Sequence, residues 1–399
     1  MLKRLLAVAF IFVCTSVAWA ILAGTIESRT HSSDDRLRGR VQSVWGAPQI
    51  QYAPRGEYWG TKKHTLVPAS SEVAVDLNLE YRQKGLLWYS TYKVGFQGDY
   101  GFQNPDSVAR AVYVSLKLPA AQAIYDGLQF TINGRTVQPV IEAEKASVNM
   151  AIAPLEVVKL GIRYRSQGLD SWSYSFGENV NSVENFHLRM ATDFKDIDFP
   201  DNTLSPTEKR RAGPGWQLDW NYKNLLSGYR IAMAMPAKLQ PGPLASEISF
   251  FAPGSLFFFF FVIFMLTVTR DIELHAMNYF FLAAAFFAFH LLLAYLVDHL
   301  DLYLSFTIAS VVSVLLVVTY LRIVVGTRFA LREAALAQSV YLVLFSFAFF
   351  FRGYTGLSIT IGAILTLFLA MQMTGKLRWA EKFGSVRTGA VPPPLPANQ

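Results

Sequence analysis

Few side chains in this sequence are suited to chemistry, and most of them lie in or beside apolar segments of its C-terminal third. An imidazole can carry a proton or bind a metal ion, and a carboxylate beside it can bind a cation. A titratable group within an apolar segment is a functional candidate, because its burial in lipid is costly. On these grounds the candidates are His275, His290, Asp298 and His299.

His290 lies near the middle of the apolar segment 277–297. Two interpretations stay open: a neutral imidazole hydrogen-bonded to a neighbouring helix, or a group that relays protons or contacts a ligand. His275 and the Asp298-His299 pair flank the same segment, roughly 36 Å apart on one helix at ~1.5 Å per residue, so they cannot share an ion. Asp298, His299 and the nearby Asp301 either bind a cation from outside or cap a helix end.

Signatures of the common catalytic classes are absent from the sequence. It contains no Walker-type phosphate loop, no HExxH zinc pair, no GxSxG elbow and no CxxC pair. An acidic loop lacks the Gly and Glu of a calcium-binding EF-hand and is interpreted as solvated; its carboxylates are Asp193, Asp196, Asp198 and Asp201. We therefore expect no catalytic residue, no cofactor and no metal ion. The single cysteine, Cys14, lies in an apolar segment, so no disulfide can form.

Five apolar segments separated by charged residues must position these side chains. They cover residues 250–269, 277–297, 303–320, 334–351 and 353–373. A bilayer core of ~30 Å needs about 20 apolar residues in a helix, and a helix satisfies its own backbone in lipid. The sequence thus predicts a C-terminal bundle of five transmembrane α-helices within residues 249–383.

A sixth apolar segment, residues 1–24, opens the chain behind Lys3 and Arg4. It is either a cleavable signal peptide, for which Ala18-Trp19-Ala20 offers a site, or a retained transmembrane anchor, which its length favours. Most basic residues of the C-terminal part lie in the loop after the third apolar segment and after the fifth, namely Arg322, Arg328, Arg332, Lys376, Arg378, Lys382 and Arg387. By contrast, the 298–303 loop has no Lys or Arg and the 352–356 loop has only Arg352. By the positive-inside rule both termini are cytoplasmic and residues 25–248 are exported.

The exported part alternates apolar and polar residues with a period of two, which indicates half-buried antiparallel strands. Its strand-like stretches are 73–81, 112–118, 158–164, 172–176, 186–190, 216–220 and 229–235, besides the hairpin at Asn133-Gly134. About ten strands without long helices predict an all-β, sandwich-like domain. A basic neck precedes it at 29–40, a loop interrupts it at 200–215, and a Pro-rich irregular linker follows at 236–246. Residues 384–399 are expected to be a disordered tail.

Composition agrees with a membrane protein, since 52% of the 399 residues are hydrophobic and only 16% are charged. The net charge of +7 does not indicate nucleic-acid binding, because many of the basic residues lie at predicted cytoplasmic helix ends. The expected partner is therefore the lipid bilayer.

Several motifs follow one another along the chain: the N-terminal anchor, the segment RLRGRVQSVWGAPQI, the segment VDLNLEYRQKGLLWYSTYKVGFQGDY, His275-Ala-Met-Asn278-Tyr279, Asp298-His299 and Leu377-Arg378-Trp379. In this order they resemble the CreD family of bacterial inner-membrane proteins. The resemblance adds Asn278 and Tyr279 to the candidate residues. The sequence departs from the family pattern at the Asp-His pair, at His290 and at Arg352-Gly353.

The resemblance implies a non-enzymatic role in cell-envelope integrity and stress response at the bacterial inner membrane. The exported β-domain would bind an envelope protein or a cell-wall component. A transporter or lipid-handling protein is the alternative, because a helix bundle with a buried histidine could line a path. It is disfavoured because the segments lack the paired charges and broken helices of transporters.

The predicted topology can be tested with reporter fusions. A reporter inserted at Gly127 should be exported, whereas reporters placed after Arg328 or after Phe383 should be cytoplasmic, because the basic loops are retained inside. Alkaline phosphatase and green fluorescent protein activities measure the two locations. Cytoplasmic activity at Gly127 would overturn the arrangement.

Overall fold

The computed structural model describes residues 2–84, 87–120, 123–177, 182–351 and 353–375, and the chain divides into two compact units. The helical unit holds Met1–Thr30 and Pro241–Gln399, and the β-rich unit holds His31–Gln240. The predicted order of an N-terminal apolar helix, a β-rich domain and C-terminal apolar helices is confirmed. The tail at 384–399, Arg352 and the basic residues at 376–387 lie outside the described residues.

Six helices in the described part are long and apolar enough to cross a membrane. They are α1 (Leu2–Trp45), α2 (Pro241–Thr269), α3 (Ala276–Leu296), α4 (Leu302–Val324), α5 (Thr327–Phe350) and α6 (Thr355–Thr374). Five of them belong to the C-terminal part, where a helix satisfies every backbone group in hydrocarbon without outside partners.

Three helix boundaries differ from the expected ones. The expectation of an irregular linker at 236–246 is wrong from Pro241 onward, because proline fits the first turn of a helix, where the backbone N–H needs no partner. Helix α5 begins at Thr327 rather than at 334 and contains two π-helical stretches, Ala330–Ala334 and Ser339–Leu344. Helix α1 continues past residue 24 through the basic neck to Trp45.

The β-rich unit contains sixteen strands among its described residues. They are β1 (Gln49–Tyr52), β2 (Arg55–Trp59), β3 (Lys63–Leu66), β4 (Ser70–Lys84), β5 (Leu87–Gln103), β6 (Arg110–Lys117), β7 (Tyr125–Ile132), β8 (Arg135–Val137), β9 (Val140–Glu142), β10 (Lys145–Ile152), β11 (Val157–Leu169), β12 (Ser171–Ser175), β13 (Val183–Thr192), β14 (Glu208–Ala212), β15 (Gly215–Leu225) and β16 (Ile231–Ala234). The sequence indicated about ten, because strands of three to five residues show too few alternations to be recognised. Strand β14, in the stretch expected to be a loop, is fully exposed and charged, as edge strands often are.

The strands form three sheets with the orders β1-β12-β16, β3-β2-β6-β10-β9 and β14-β15-β13-β4-β5-β11-β7-β8. Most neighbours are antiparallel, but β1 pairs with β12 and β4 pairs with β13 in parallel. The expectation of wholly antiparallel strands is therefore wrong, because these pairs join segments that no hairpin connects. An arrangement of two stacked sheets stays a prediction.

The hairpin at Asn133-Gly134 is confirmed. Ile132 pairs with Arg135 across it, and both turn residues have positive φ angles, 46° and 80°. Asparagine and glycine tolerate this left-handed backbone, which a type I′ turn requires at both central positions.

Residues of all three sheets share one hydrophobic core, which includes Val75, Trp172 and Trp220, each 1% exposed or less. A second, smaller cluster forms where Val41 of α1 packs with Leu87, Tyr89 and Leu169. The neck itself is helical and mostly exposed, and of its described residues only Leu37 near its end packs against this cluster. The β-rich unit therefore has a hydrophobic core of its own.

We predict that residues 31–240 fold alone, without an oxidant, because the unit has its own core and no cysteine. Its circular dichroism should be of β type with a cooperative unfolding transition. Replacement of the buried Leu188 by alanine should lower the free energy of unfolding by about 2–5 kcal/mol.

The matched control is Leu226→Ala, because Leu226 is 76% exposed and its truncation removes little packing. Urea denaturation measures both variants. A non-cooperative transition, or equal effects of the two substitutions, would contradict an independent β-core.

Candidate functional site

His290 lies in the interior of the helical unit and is 1% exposed. Its Nδ1 is 3.1 Å from the carbonyl oxygen of Phe286. Because a carbonyl only accepts hydrogen bonds, Nδ1 must carry the hydrogen, which leaves Nε2 as an acceptor. Within the described part of the chain Nε2 has no hydrogen-bond partner. The imidazole of His290 thus makes its hydrogen bond within its own helix, α3.

Aromatic rings surround this imidazole. The ring of Trp19 lies edge-on at a centroid distance of 5.3 Å and that of Phe289 at 4.9 Å. Trp19 belongs to α1, is fully buried and also packs against Phe286 at 6.2 Å. The N-terminal helix therefore supplies one wall of the histidine's environment, which is an arrangement that sequence spacing alone did not reveal.

A second buried polar chain links α3, α4 and α5. The Gln338 amide donates to the Ser313 hydroxyl at 2.9 Å, and that hydroxyl donates to the carbonyl of Ala285 at 2.7 Å. Gln338 is fully buried and lies between the two π-helical stretches of α5. Interhelical bonds of this kind hold helices together in hydrocarbon. A polar amide in an apolar segment was the available signal, and sequence analysis did not use it.

The remaining candidates on α3 have local structural partners. His275 caps the helix, with Nδ1 accepting from the backbone N–H of Met277 at 3.3 Å. Asn278 accepts from the Tyr320 hydroxyl at 2.8 Å, which joins α3 to α4. Tyr279 is buried, and its ring lies edge-on to Phe260 at 5.3 Å.

The Asp298-His299 pair lies at the other end of α3, so it is not brought together with His275. Asp298 forms an ion pair with Arg29 of α1 at 2.6 Å, while His299 is exposed. Asp301 accepts from the N–H of Tyr303 at 2.9 Å and caps α4. Of the two interpretations left open for these residues, the capping role describes Asp301. In the described ranges no three His, Cys, Asp or Glu side chains are grouped to hold a metal ion.

A further titratable cluster, not found from the sequence, lies on β4, β13 and β15 of the β-rich unit. His187 places Nδ1 2.7 Å from Glu72 and Nε2 3.2 Å from Asp219, and Arg189 donates to the same Asp219 at 3.3 Å. Alternation showed that His187 faces away from Phe186 and Leu188, but its partners come from strands far away in the sequence. Only the sheet order brings them together.

The two carboxylates favour a charged imidazole, because both ring nitrogens then donate. Partial burial by itself would lower the pKa of His187, but the hydrogen bonds to Glu72 and Asp219 outweigh it and raise the pKa above 6.5. Burial would raise the pKa of Asp219, but hydrogen bonds from Gln217, His187 and Arg189 outweigh it and lower the pKa.

Residues 251–380 match the family model described as "Inner membrane protein CreD". The match confirms the resemblance to this family in the C-terminal part and supports a multi-pass protein of the inner membrane. No curated protein matches the chain. The solved structures that are similar to this chain at low identity include two bacterial proteins. A candidate nutrient binding protein from Legionella pneumophila has 11% identity and a TM-score of 0.32, over 52% of this chain and 76% of that one.

The other is an M1 zinc metallopeptidase from Deinococcus radiodurans, with 12% identity and a TM-score of 0.27, over 43% of this chain and 42% of that one. Scores of this size carry no argument about fold or function.

The His187 cluster predicts a pH-dependent stability of the β-rich unit. A histidine whose pKa is raised by folding stabilises the folded state below its unfolded pKa of 6.5, and this contribution is lost as the pH rises through the folded-state pKa. His187→Gln should therefore destabilise the unit at about pH 5.5 and have a smaller effect near about pH 9.

Thermal unfolding at both pH values measures the difference. The control is His64→Gln, because His64 is exposed and forms no ion pair in the part of the chain that the structure describes. A pH-independent effect of His187→Gln would show that the imidazole acts only by packing.

Proposed function

Taking the family match of residues 251–380 as the premise, we propose that this chain is a non-catalytic inner-membrane protein of envelope integrity and stress response. Its helices anchor it, and its exported β-rich unit binds an envelope protein or a cell-wall component. The observation that carries the proposal is that the chain consists of two units. One contains the apolar helices, and the other contains the strands and has a separate hydrophobic core.

Two ion pairs support the proposed threading of the helices. Arg29, after the first apolar segment, pairs with Asp298 after α3, and Arg270, after α2, pairs with Glu333 near the start of α5, each at 2.6 Å. In the proposed topology the first pair lies on the periplasmic side and the second on the cytoplasmic side. Each ion pair thus connects two helix ends that the proposed topology places on the same side of the membrane. This agrees with exported residues 25–248 and cytoplasmic termini.

Packing of α1 in the helical unit supports a retained anchor rather than a cleaved signal. The Ser246 hydroxyl donates to the carbonyl of Ala23 at 3.1 Å, and a Cβ added at Gly242 would lie 2.4 Å from the Thr30 hydroxyl oxygen. Small residues at such positions let two helices approach closely in a membrane. Cleavage after Ala20 would also remove Trp19, which contacts His290.

The surroundings of His290 disfavour the transporter alternative. A proton relay needs a second titratable group within reach. The groups seen around this imidazole are the rings of Trp19, Phe286 and Phe289 and the Phe286 carbonyl. The buried amide of Gln338 and the π-helical stretches of α5 are the features that a transport path would use.

Substitution of His290 separates the two functions. In an anchoring bundle, His290→Gln and His290→Phe should change stability by about 1–2 kcal/mol and leave tolerance to envelope stress intact at matched protein levels, because interhelical bonds in bilayers are modest. In a transporter both variants should lose function. Survival of the native bacterium under envelope stress, with membrane levels quantified by immunoblot, is the measurement.

The comparison variant replaces residues 31–240 by a flexible linker. It should lose tolerance if the exported unit carries the function. Full tolerance without this unit would contradict the proposal, as would loss of tolerance in a stably inserted His290→Gln protein.

A further inference from the structure

One face of the eight-stranded sheet carries a groove with charges of both signs. The groove, here called the Gly95 groove, is lined by Asp76, Gly95, Asp126, Arg163 and Arg165 and has a volume of about 430 Å³. It lies on the face opposite the core, since Asp76 stands between the buried Val75 and Leu77. A volume of this order suits a small ligand, since binding pockets usually span about 300–1,000 Å³.

The sheet register places four of these residues in one row. Asp76 of β4 is opposite Gly95 of β5, Gly95 is opposite Arg165 of β11, and Arg165 is opposite Asp126 of β7. Neighbouring strands lie ~4.8 Å apart, so the backbones at Asp76 and Arg165 are about 9.6 Å apart. Gly95, which has no side chain, lies between them. Along the row, the acidic Asp76 is followed by Gly95, the basic Arg165 and the acidic Asp126.

A β-bulge produces the last pairing. Between Arg163 and Arg165 the register with β7 shifts, so that Arg163 faces Gln129 and Arg165 faces Asp126. Gly127, next to Asp126, has a φ of 64°, which a glycine adopts without strain. Bulges commonly reorient side chains beside functional sites. Both arginines stay on the outer face, two residues apart on the same strand.

The charged side chains of the groove do not pair with one another. In the described part of the chain no ion pair or side-chain hydrogen bond joins Asp76, Asp126, Arg163 or Arg165 to another residue. Elsewhere on this face, charged groups do pair, as Lys93 does with Glu80 and His187 with Glu72. Two acids and two bases give the groove no net charge. This disfavours a polyanion and favours a ligand that also carries both charges.

We propose that the Gly95 groove binds a short peptide with free termini. Its carboxylate would lie against Arg163 and Arg165, whose guanidinium groups match carboxylate geometry, and its ammonium against Asp76. An extended chain rises ~3.3 Å per residue, so about three residues span the ~9.6 Å between them. The peptide backbone would cross Gly95, where the absent side chain leaves space. The proposal deepens the proposed function by naming a ligand class for the exported unit.

The structure offers a substitution that fills the groove with little effect on the fold. A Cβ at Gly95 would lie 3.7 Å from Asp76 Cβ and 3.8 Å from Asp76 Oδ2, which is ordinary van der Waals contact. Valine also suits a strand. Gly95→Val should therefore insert and fold like the original chain and lose peptide binding.

The test uses the full chain in lipid nanodiscs and isothermal titration with trialanine, N-acetyl-trialanine and trialanine amide. Trialanine should bind in a saturable manner. The affinity of each blocked form should be lower by a factor of about ten or more, because a charge-assisted hydrogen bond is lost. Asp76→Asn should remove the effect of acetylation, and Arg165→Gln the effect of amidation. Lys159→Gln is the matched control, since Lys159 lies on the same strand and face outside the groove.

Three outcomes overturn the proposal: no saturable trialanine binding, equal binding of the three peptides, or unchanged binding by a correctly folded Gly95→Val chain. Limited proteolysis checks the fold of Gly95→Val. If this variant is cleaved more readily than the original chain, the Asp76→Asn and Arg165→Gln variants decide instead. The stress tolerance of bacteria that carry the same variants distinguishes the peptide-binding proposal from the proposed envelope function. Tolerance that persists without peptide binding rejects the groove as the functional site and leaves the envelope role standing.

Discussion

The absence of water in hydrocarbon is the constraint on which most of this structure depends. An unsatisfied backbone group in lipid costs several kcal/mol, so every spanning segment must be a helix. The same constraint explains why polar side chains of the helices bond so locally. His290 uses a carbonyl of its own helix, and Ser313 and Gln338 form a short chain between neighbours. The strands, which need water or partners at their edges, are confined to the other unit.

Contacts between helices in the helical unit come mainly from small and aromatic residues. Apolar surface offers no hydrophobic advantage against lipid tails, so close packing and a few hydrogen bonds must hold the helices. Gly242 and Ser246 allow α1 to approach α2, and Trp19 packs against α3 beside His290. These contacts place the apolar part of the N-terminal helix within the helical unit.

The β-rich unit is stabilised in the opposite way, by burial of apolar surface away from water. Its core joins residues of three sheets, and no disulfide contributes, because the sequence has one cysteine. This leaves the outer face of the large sheet free to carry charge. Its charges divide into those that are paired, such as His187 with Glu72, and those of the Gly95 groove. The first group stabilises the sheet, and the second is available to a ligand.

Sequence periodicity alone determined the main architecture. Apolar runs of membrane-spanning length predicted the helices, alternation predicted the long strands, and Asn133-Gly134 predicted a hairpin that the structure contains. These features depend on residues close together in the chain. Periodicity could not recognise β14 or the shortest strands, and it could not show that proline at 241 begins a helix rather than preventing one.

The functional surfaces were decided by tertiary structure. His290 was visible in the sequence, but its enclosure by Trp19 joins residues 271 positions apart. The pairing of His187 with Glu72 and Asp219, and the row from Asp76 to Asp126, depend on which strands become neighbours and in which register. Alternation specifies only the face on which a side chain lies. Its partner across the sheet is set by long-range pairing, because a shift of register changes every neighbour while leaving the local sequence pattern the same.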